Sequence, residues 1–494
     1  MTPEILLNLK LFSPELIVIA AIVVLFLVDA FLPSLREGGI PLVITLVACL
    51  LGGVMTWQIS QGSATQFFSQ TVASDRFSAF FRYFFFFACG VGAYLAYGSK
   101  ELKEKSRLEF LILLLCVTFG LCLMATTTHL LVLYLGIETV SIVSFVMAGF
   151  NRDDLKSNEA SFKYLVFGAL ASGVMIYGFS LIYGLAGSLQ YQAVAKFLQE
   201  NSSQTSYVVM LALVMTYVGL AYKISSFPLH FWTPDVYEGS PTPVATFFSV
   251  GPKAAGFAAL LRVFIDVFCI KTGDGQWKAL EGSSLVEWMA FTSAATMTIG
   301  NLSALGQRSV KRMLAYSSIA HVGYMLMGVI SLNSFGMLSI LFYLVAYCAM
   351  NIGAFWVVCV VSDLKGSEDL EAFRGVGWSM PILGTCMSIF LFSLTGIPLF
   401  AGFIGKFLLF ANVIKTEGYL WLAVLGVLNS VVSLYYYAKV LKAMWLDVPE
   451  TLQTVTVPLY HRIGIVALAV PTMVLGLYFT PVIRFAEKTL AVFL

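Results

Sequence analysis

Several ionisable side chains fall within long apolar runs of this sequence, among them Asp29, Glu138, Lys163, Lys223, Lys253, Asp266, His321 and Lys406. In hydrocarbon each costs about 2.5–3.5 kcal/mol on insertion scales unless it is paired or hydrated, so together they need an explanation. Lysine suits proton handling because desolvation disfavours its ammonium and an approaching carboxylate restores it. Histidine titrates near neutrality without help. A carboxylate beside either can trade partners or protons.

The spacing adds a second signal. In "VVMLALVMTYVGLAYKISSFPLHFWTPDVYEGSPTPV" (208–244), Lys223 lies five residues before Pro228, roughly 7.5 Å along a helix axis. Proline lacks an N–H, so the Ile224 carbonyl loses its helical donor. Such a carbonyl is tolerated at membrane depth only where it meets protein or water. Lys223 therefore reads as bordering a hydrated pocket, with snorkelling to the interface as the competing view. In "FFSVGPKAAGFAALL", Pro252 precedes Lys253 directly, and Ala254, Ala255 and Gly256 let a neighbouring helix approach. In "GIPLFAGFIGKFLLF", Lys406 follows Pro398 by eight residues, roughly 12 Å. Pro228, Pro252 and Pro398 thus read as three helix breaks, each with a lysine nearby.

The remaining candidates are weaker. Glu138 in "LVLYLGIETVSIVSF" sits near the centre of its span, as a partner-trading carboxylate or a structural ion pair. His321 is a proton carrier or a hydrogen-bonded packing residue. His230, at a span edge, is read equally as a proton access point or an interfacial residue. Lys163, four residues into its span, reads first as a cytoplasmic anchor. Asp29 and Asp266, near span ends, read as structural, and "FRYFFFF" (81–87) as a lipid-facing or packing stripe.

The elements that must position these groups are membrane helices. The chain has 494 residues, 59% hydrophobic and 11% charged, with a mean hydropathy of +0.87; soluble proteins average about a quarter charged. Apolar runs of about 20 residues, enough to cross roughly 30 Å of hydrocarbon, predict fourteen spans. These lie near 15–33, 39–59, 77–97, 108–126, 129–149, 159–185, 207–232, 241–270, 284–304, 311–331, 335–361, 380–414, 418–445 and 462–483. The first run lacks a basic n-region and a small-residue cleavage site, and is read as a retained helix. Fifteen of the 29 Lys and Arg lie in or at the odd-numbered loops, against eight in the even loops and termini. By the positive-inside rule the odd loops are cytoplasmic and both termini lie outside.

Other chemistries find little support. The eight cysteines are scattered singly in apolar spans, with no CxxC and no Cys/His cluster, which argues against zinc or iron–sulfur ligation. No GxGxxG or GxxxxGK[ST] motif provides for a nucleotide. No nucleophile–base pair or nucleic-acid face is visible, and no loop is long enough to be a soluble domain. "SLQYQAVAKFLQENSSQ" (188–204) reads as a short amphipathic surface helix or an ordinary loop.

The whole chain, 1–494, reads as a single all-α membrane domain with a weak internal repeat. Pro228-Leu229 and Pro398-Leu399 are 170 residues apart, and Glu138 and His321 are 183 apart. Two five-helix units fit, helices 4–8 (108–270) and 9–13 (284–445), flanked by 1–107 and 446–494. Because five is odd, the units would be inverted relative to each other.

The motifs "LGIETVSI" (135–142), "FPLHFWTPDVYEGSPTPV" (227–244), "GPKAA" (251–255), "KRMLAYSSIAHVGYM" (311–325) and "GIPLFAGFIGKF" (396–407) resemble the antiporter-like membrane subunits of respiratory complex I, the NADH–quinone oxidoreductase. The likeness runs from span 4 to span 13. It implies fourteen helices, two inverted repeats and broken helices 7 and 12. It implies proton translocation driven by NADH oxidation and quinone reduction, with NADH, FMN, iron–sulfur clusters and quinone held by partner subunits and no cofactor bound here. The implied partners are neighbouring membrane subunits, the peripheral redox arm and the lipid bilayer, in a bacterial inner membrane. Carried over residue by residue, the path is Glu138 ion-paired with Lys223, then Lys253, then Lys406, supported by Lys163, His230, Tyr316 and His321. Lys406, with a chain that stops soon after span 14, favours one branch of the family over branches with glutamate there or a long C-terminal extension. "GIPLFAGF" departs slightly from the commoner small-residue pattern, which touches only local packing. Two rivals remain: a subunit of a multisubunit cation/proton antiporter or membrane-bound hydrogenase, and a structural scaffold without proton traffic.

Overall fold

The computed structural model describes residues 3–201, 206–272, 276–280, 284–447 and 455–493. Its α-helices are α1 (Pro3–Leu11), α2 (Ser13–Phe31), α3 (Ile40–Ser60), α4 (Arg76–Gly98), α5 (Arg107–Thr126), α6 (Leu130–Ala148), α7 (Leu155–Ala186), α8 (Tyr191–Glu200), α9 (Ser206–Ile224) and α10 (Trp232–Gly239). They continue with α11 (Thr242–Phe268), α12 (Leu285–Leu305), α13 (Val310–Ile330), α14 (Ser334–Lys365), α15 (Val376–Ser379), α16 (Pro381–Thr395), α17 (Ala401–Ile414), α18 (Leu420–Trp445), α19 (Leu459–Leu477) and α20 (Thr480–Leu490). Two short antiparallel ribbons, Thr65–Phe67 with Val72–Ser74 and Cys269–Lys271 with Trp277–Ala279, lie in loops.

Among the described residues, twelve helices are long and apolar enough to cross a membrane. Polar side chains mark where several begin: Asp75 and Ser78 form a reciprocal capping box on α4, and Asp154, Ser309 and Asn333 cap α7, α13 and α14. Glycines in the left-handed region end α7 and α14, Gly187 at φ +65° and Gly366 at +73°. The expected spans at 284–304 and 380–414 take other forms: the first is α12, absent from that apolar set, and the second is the pair α16 and α17. The 188–204 stretch is helical as α8, burying Tyr191, Val194 and Leu198 on one side; its residues 202–204 lie outside the described set.

Two helices break and a third does not. Ser225 closes α9 at φ +65°, with the Ser226 N–H donating to the Ala221 carbonyl at 2.9 Å. Gly396 closes α16 at φ +91°, with the Ile397 N–H donating to the Phe392 carbonyl at 3.1 Å. Both are the same cap, a left-handed residue followed by a bond reaching five residues back, and each stands just before its proline. Pro252 corrects the sequence reading: it lies inside an uninterrupted α11. That helix is buried along its membrane-crossing length, and it continues across one missing hydrogen bond.

Loops segregate by parity. The loop before α5 meets the one before α7 through Lys103 and Asp153 (2.9 Å), and meets Thr242 through Glu101. The Val310 N–H donates to the Glu368 carbonyl at 2.9 Å. Thr128 donates to Gln70, and Gln190 to Ser69, on the other set. Such grouping requires the helices to cross in alternating directions.

Candidate functional site

Lys223, Lys253, His321 and Lys406 are all buried, with exposures of 1, 1, 2 and 4%. The Lys223 ammonium, in the last turn of α9, donates to the Ser141 hydroxyl on α6 at 2.9 Å. The snorkelling view of Lys223 is therefore wrong for this structure. Its backbone end lies against Gly256 of α11, where an added Cβ would come 3.6 Å from the Lys223 Cβ and 2.5 Å from Ile224 Cγ2. Gly256 is one turn past Lys253, so the small residues after Pro252 admit the helix that carries Lys223.

The expected Glu138–Lys223 ion pair is absent among the described residues. Glu138 belongs to an α6 stripe with Leu131, Leu135, Ile142 and Val146, which are 43–58% exposed. Lys223 instead meets Ser141, one turn away and turned inward. Glu138 Oε1 is buried without a hydrogen-bond partner.

Lys253, His321 and Lys406 are each held by hydroxyl groups of their own. Lys253 donates to Ser318 of α13 at 2.5 Å and sits 5.6 Å from the centre of the Tyr237 ring. One turn along α13, His321 Nδ1 is 2.7 Å from the Tyr343 hydroxyl and Nε2 is 3.3 Å from that of Tyr437, which also meets Ser317. Lys406 donates to the Thr395 carbonyl at 2.8 Å and to Ser430 at 3.3 Å. It thus caps the C-terminal, negative end of α16, above the Tyr324 ring at 4.5 Å. Ser430 donates to the Tyr324 hydroxyl (3.3 Å), and Asn301 links Tyr324, Asn429 and Tyr436 at 2.9–3.2 Å.

Not every residue singled out in the sequence joins this chain. His230 is buried, with Nδ1 unpartnered. Lys163 pairs with Asp235 and Glu159, both at 2.6 Å. Arg312 pairs with Asp235 at 2.8 Å and with Glu238, and stands over the Tyr316 ring at 5.9 Å. Lys163 and Tyr316 therefore belong to an ionic cluster around α10, beside the Lys156–Glu238 pair at 3.3 Å. At the loop face, burial holds the Glu368 carboxyl above its usual range, against the opposing pull of Lys311.

Two buried ion pairs escaped the sequence reading. Glu15 and Arg82, 0 and 1% exposed, form a two-point pair at 2.8 and 3.1 Å between α2 and α4. Arg262 holds Asp75 at 2.8 and 2.9 Å and the Ala125 carbonyl at 3.0 Å. A signal for the first existed: an arginine inside an otherwise apolar aromatic run needs a partner. Among the described residues, Glu101, Cys359 and Asp363 bring possible metal-ligand atoms within 4.8 Å of one another. Each already bonds to protein, to Thr242, Ser99 and Lys100 respectively.

Comparison with known proteins adds independent findings. Residues 127–433 match the family described as NADH:quinone oxidoreductase/Mrp antiporter, TM. The chain is 42% identical over 502 residues to NADH-quinone oxidoreductase subunit N 2 of Sorangium cellulosum, across 98% of this chain and 97% of that one. A chain of the Thermus thermophilus respiratory complex I structure with bound aureothin is 32% identical, with a TM-score of 0.79 over 96% of this chain and 99% of that one. A chain of the Mrp complex from Dietzia sp. shares the fold, with a TM-score of 0.83 at 21% identity over 98% and 97% of the two chains.

Proposed function

The chain belongs to the NADH:quinone oxidoreductase/Mrp antiporter membrane family, in its subunit N branch, and from that premise we propose that it carries protons across the membrane through Lys223, Lys253, His321 and Lys406. It works as a membrane subunit of respiratory complex I, beside other membrane subunits. NADH oxidation at FMN and iron–sulfur clusters and the reduction of quinone take place in partner subunits, and their free energy drives this chain. The membrane is the bacterial inner membrane, with both termini on its outer side.

One observation carries the reading: three lysines and a histidine are buried, each bonded to a hydroxyl or carbonyl rather than to a carboxylate. An ammonium closed in an ion pair is held in place, whereas one held by hydroxyls can lose its proton to a neighbour. Glu138, on the outward stripe, is reached by a neighbouring subunit and changes the charge balance at Lys223 from that edge. Close to Lys223 in the chain or to its partner Ser141, Ser225 Oγ and Glu138 Oε1 are buried without a hydrogen-bond partner. Buried polar groups are otherwise almost always bonded, so water fits this place.

The matching caps at Ser225 and Gly396 support two inverted units, 108–270 and 284–445, with the lysines divided between them. Moving one charge against the membrane potential costs about 2.3 kcal/mol per 100 mV, so the chain needs its redox partners. The test is Lys406→Ala in the assembled complex: quinone reduction and proton pumping should both fall, and wild-type values for both would overturn the path. The antiporter rival shares the fold, and purification without flavin- and iron–sulfur-bearing partners would favour it.

A further inference from the structure

How a proton reaches Lys253 is answered on one face of α11. Thr242, Thr246, Ser249 and Lys253 recur at i, i+4, i+7 and i+11 and so lie in one line, about 16 Å long. All four are buried. Thr246 donates to the Thr242 carbonyl and Ser249 to the Thr246 carbonyl, both at 2.7 Å. Hydroxyls bonded to their own helix are ordinary in themselves. What sets this line apart is the partner it faces. Asn351 of α14 donates across the seam to Ser249 Oγ at 2.6 Å. Tyr347 and Tyr343 follow Asn351 at one-turn intervals on α14, and bring the seam to His321, whose ring is 5.3 Å from that of Tyr347.

The other end opens on the loop face. Glu101 accepts the Thr242 N–H at 2.5 Å and its hydroxyl at 2.6 Å. Asp363 and Cys359, about three and two turns along α14 from Asn351, adjoin Glu101. Lys311 stands beside them, 3.5 Å from Glu368, donating to the Ser240 and Glu238 carbonyls at 2.8 and 3.2 Å. Along this seam and mouth, Asn351 Oδ1, Ser240 Oγ and Glu368 Oε2 are buried and unpartnered. Packing alone would favour apolar or fully bonded side chains here. Polar atoms left open at successive levels fit a file of water.

We propose that the seam between α11 and α14 is the proton uptake route to Lys253, running from a mouth of Glu101, Asp363 and Glu368 past Thr246, Ser249 and Asn351. The proposal rests on Lys253 being a proton carrier. A proton from bulk water protonates a mouth carboxylate, which passes it to water in the seam and returns to its charged form. Each bridging water or hydroxyl accepts one proton and releases another, so Thr246 and Ser249 keep no charge. The final transfer turns an uncharged Lys253 amine into ammonium. Successive hydroxyls stand one turn apart, a gap of about 5–6 Å that one water spans.

The test uses the assembled complex reconstituted in vesicles, comparing Asn351→Leu, the double variant Thr246→Val with Ser249→Ala, Thr246→Ser, and Lys253→Ala. Asn351→Leu and the double variant should lower NADH-driven proton pumping at least fivefold and raise the solvent deuterium isotope effect on turnover, because uptake becomes limiting. Thr246→Ser, which keeps the hydroxyl, should pump as wild type. If Asn351→Leu fails to assemble, the nearly isosteric double variant decides. Wild-type pumping with an unchanged isotope effect in the seam variants, while Lys253→Ala is impaired, overturns the seam alone. Wild-type pumping in Lys253→Ala overturns the reading beneath it.

Discussion

Replacing Gly396 by alanine attacks the last lysine without touching its charge. Gly396 sits at φ +91°, where an added Cβ would stand 2.9 Å from Lys406 Cδ and 3.7 Å from its Nζ. Two costs follow. An alanine in the left-handed region costs about 1–2 kcal/mol. Pushing the lysine stem away also strains its 2.8 Å bond to the Thr395 carbonyl, and a hydrogen bond to a charged group contributes about 1.5–3 kcal/mol. Gly396→Ala should therefore destabilise the subunit by about 2–5 kcal/mol and slow pumping. Gly396→Asn separates the two terms, since asparagine tolerates this backbone but carries the same Cβ. Native gels of the assembled complex report the stability part, and acidification of the lumen of inverted vesicles reports the pumping part. Asn should recover assembly and stay slow. Wild-type pumping in Gly396→Ala, or full recovery of pumping in Gly396→Asn, would refute the view that this glycine holds Lys406 in position.

The other expectations concern the ionic framework. Glu15→Gln leaves Arg82 buried without its counter-charge and should cost about 3–5 kcal/mol, read as a lower unfolding temperature of the complex; the double change Glu15→Leu with Arg82→Met should recover most of it. Lys311→Met removes the cation that opposes burial at Glu368. The folded state then binds the Glu368 proton more tightly than the unfolded chain does, so stability falls as pH rises above the ordinary carboxylate range and the penalty fades towards acid; thermal unfolding at pH 4.5 and pH 8 should show this. Asp235→Asn breaks pairs whose side chains are 27–35% exposed. Solvent screening should hold that loss to about 1 kcal/mol or less in the same unfolding assay.

Much of the framework was legible in the sequence because hydrocarbon imposes length. Apolar runs such as 39–59 and 77–97 appear as Ile40–Ser60 and Arg76–Gly98, since the bilayer fixes how many residues a helix needs. Pro228 and Pro398 were readable as breaks from the backbone donor that proline lacks, whereas the left-handed caps at Ser225 and Gly396 became visible only in the structure. Pro252 was misread: one missing donor does not break a helix that neighbours enclose on all sides. The lysines were found from their charge alone, but their partners were not. Ser141, Ser318, Tyr343, Tyr437 and Ser430 are common residue types in membrane helices, and only the packing of α6, α13, α14 and α18 makes them neighbours. The Glu138–Lys223 pair failed for the same reason, because Glu138 and Ser141, three positions apart on α6, differ by about 60° in direction and the more inward one meets the lysine. Glu15 and Arg82 lie 67 residues apart, so no local pattern joins them.

The lysine path is tested most directly at its centre. Lys253→Met in the purified, reconstituted complex should leave NADH:ferricyanide activity intact, because that electron transfer needs only the redox arm. NADH:quinone turnover and proton ejection, measured together on the same vesicles, should both fall about tenfold or more. A complex that keeps both rates with methionine at position 253 would contradict proton transfer through this lysine.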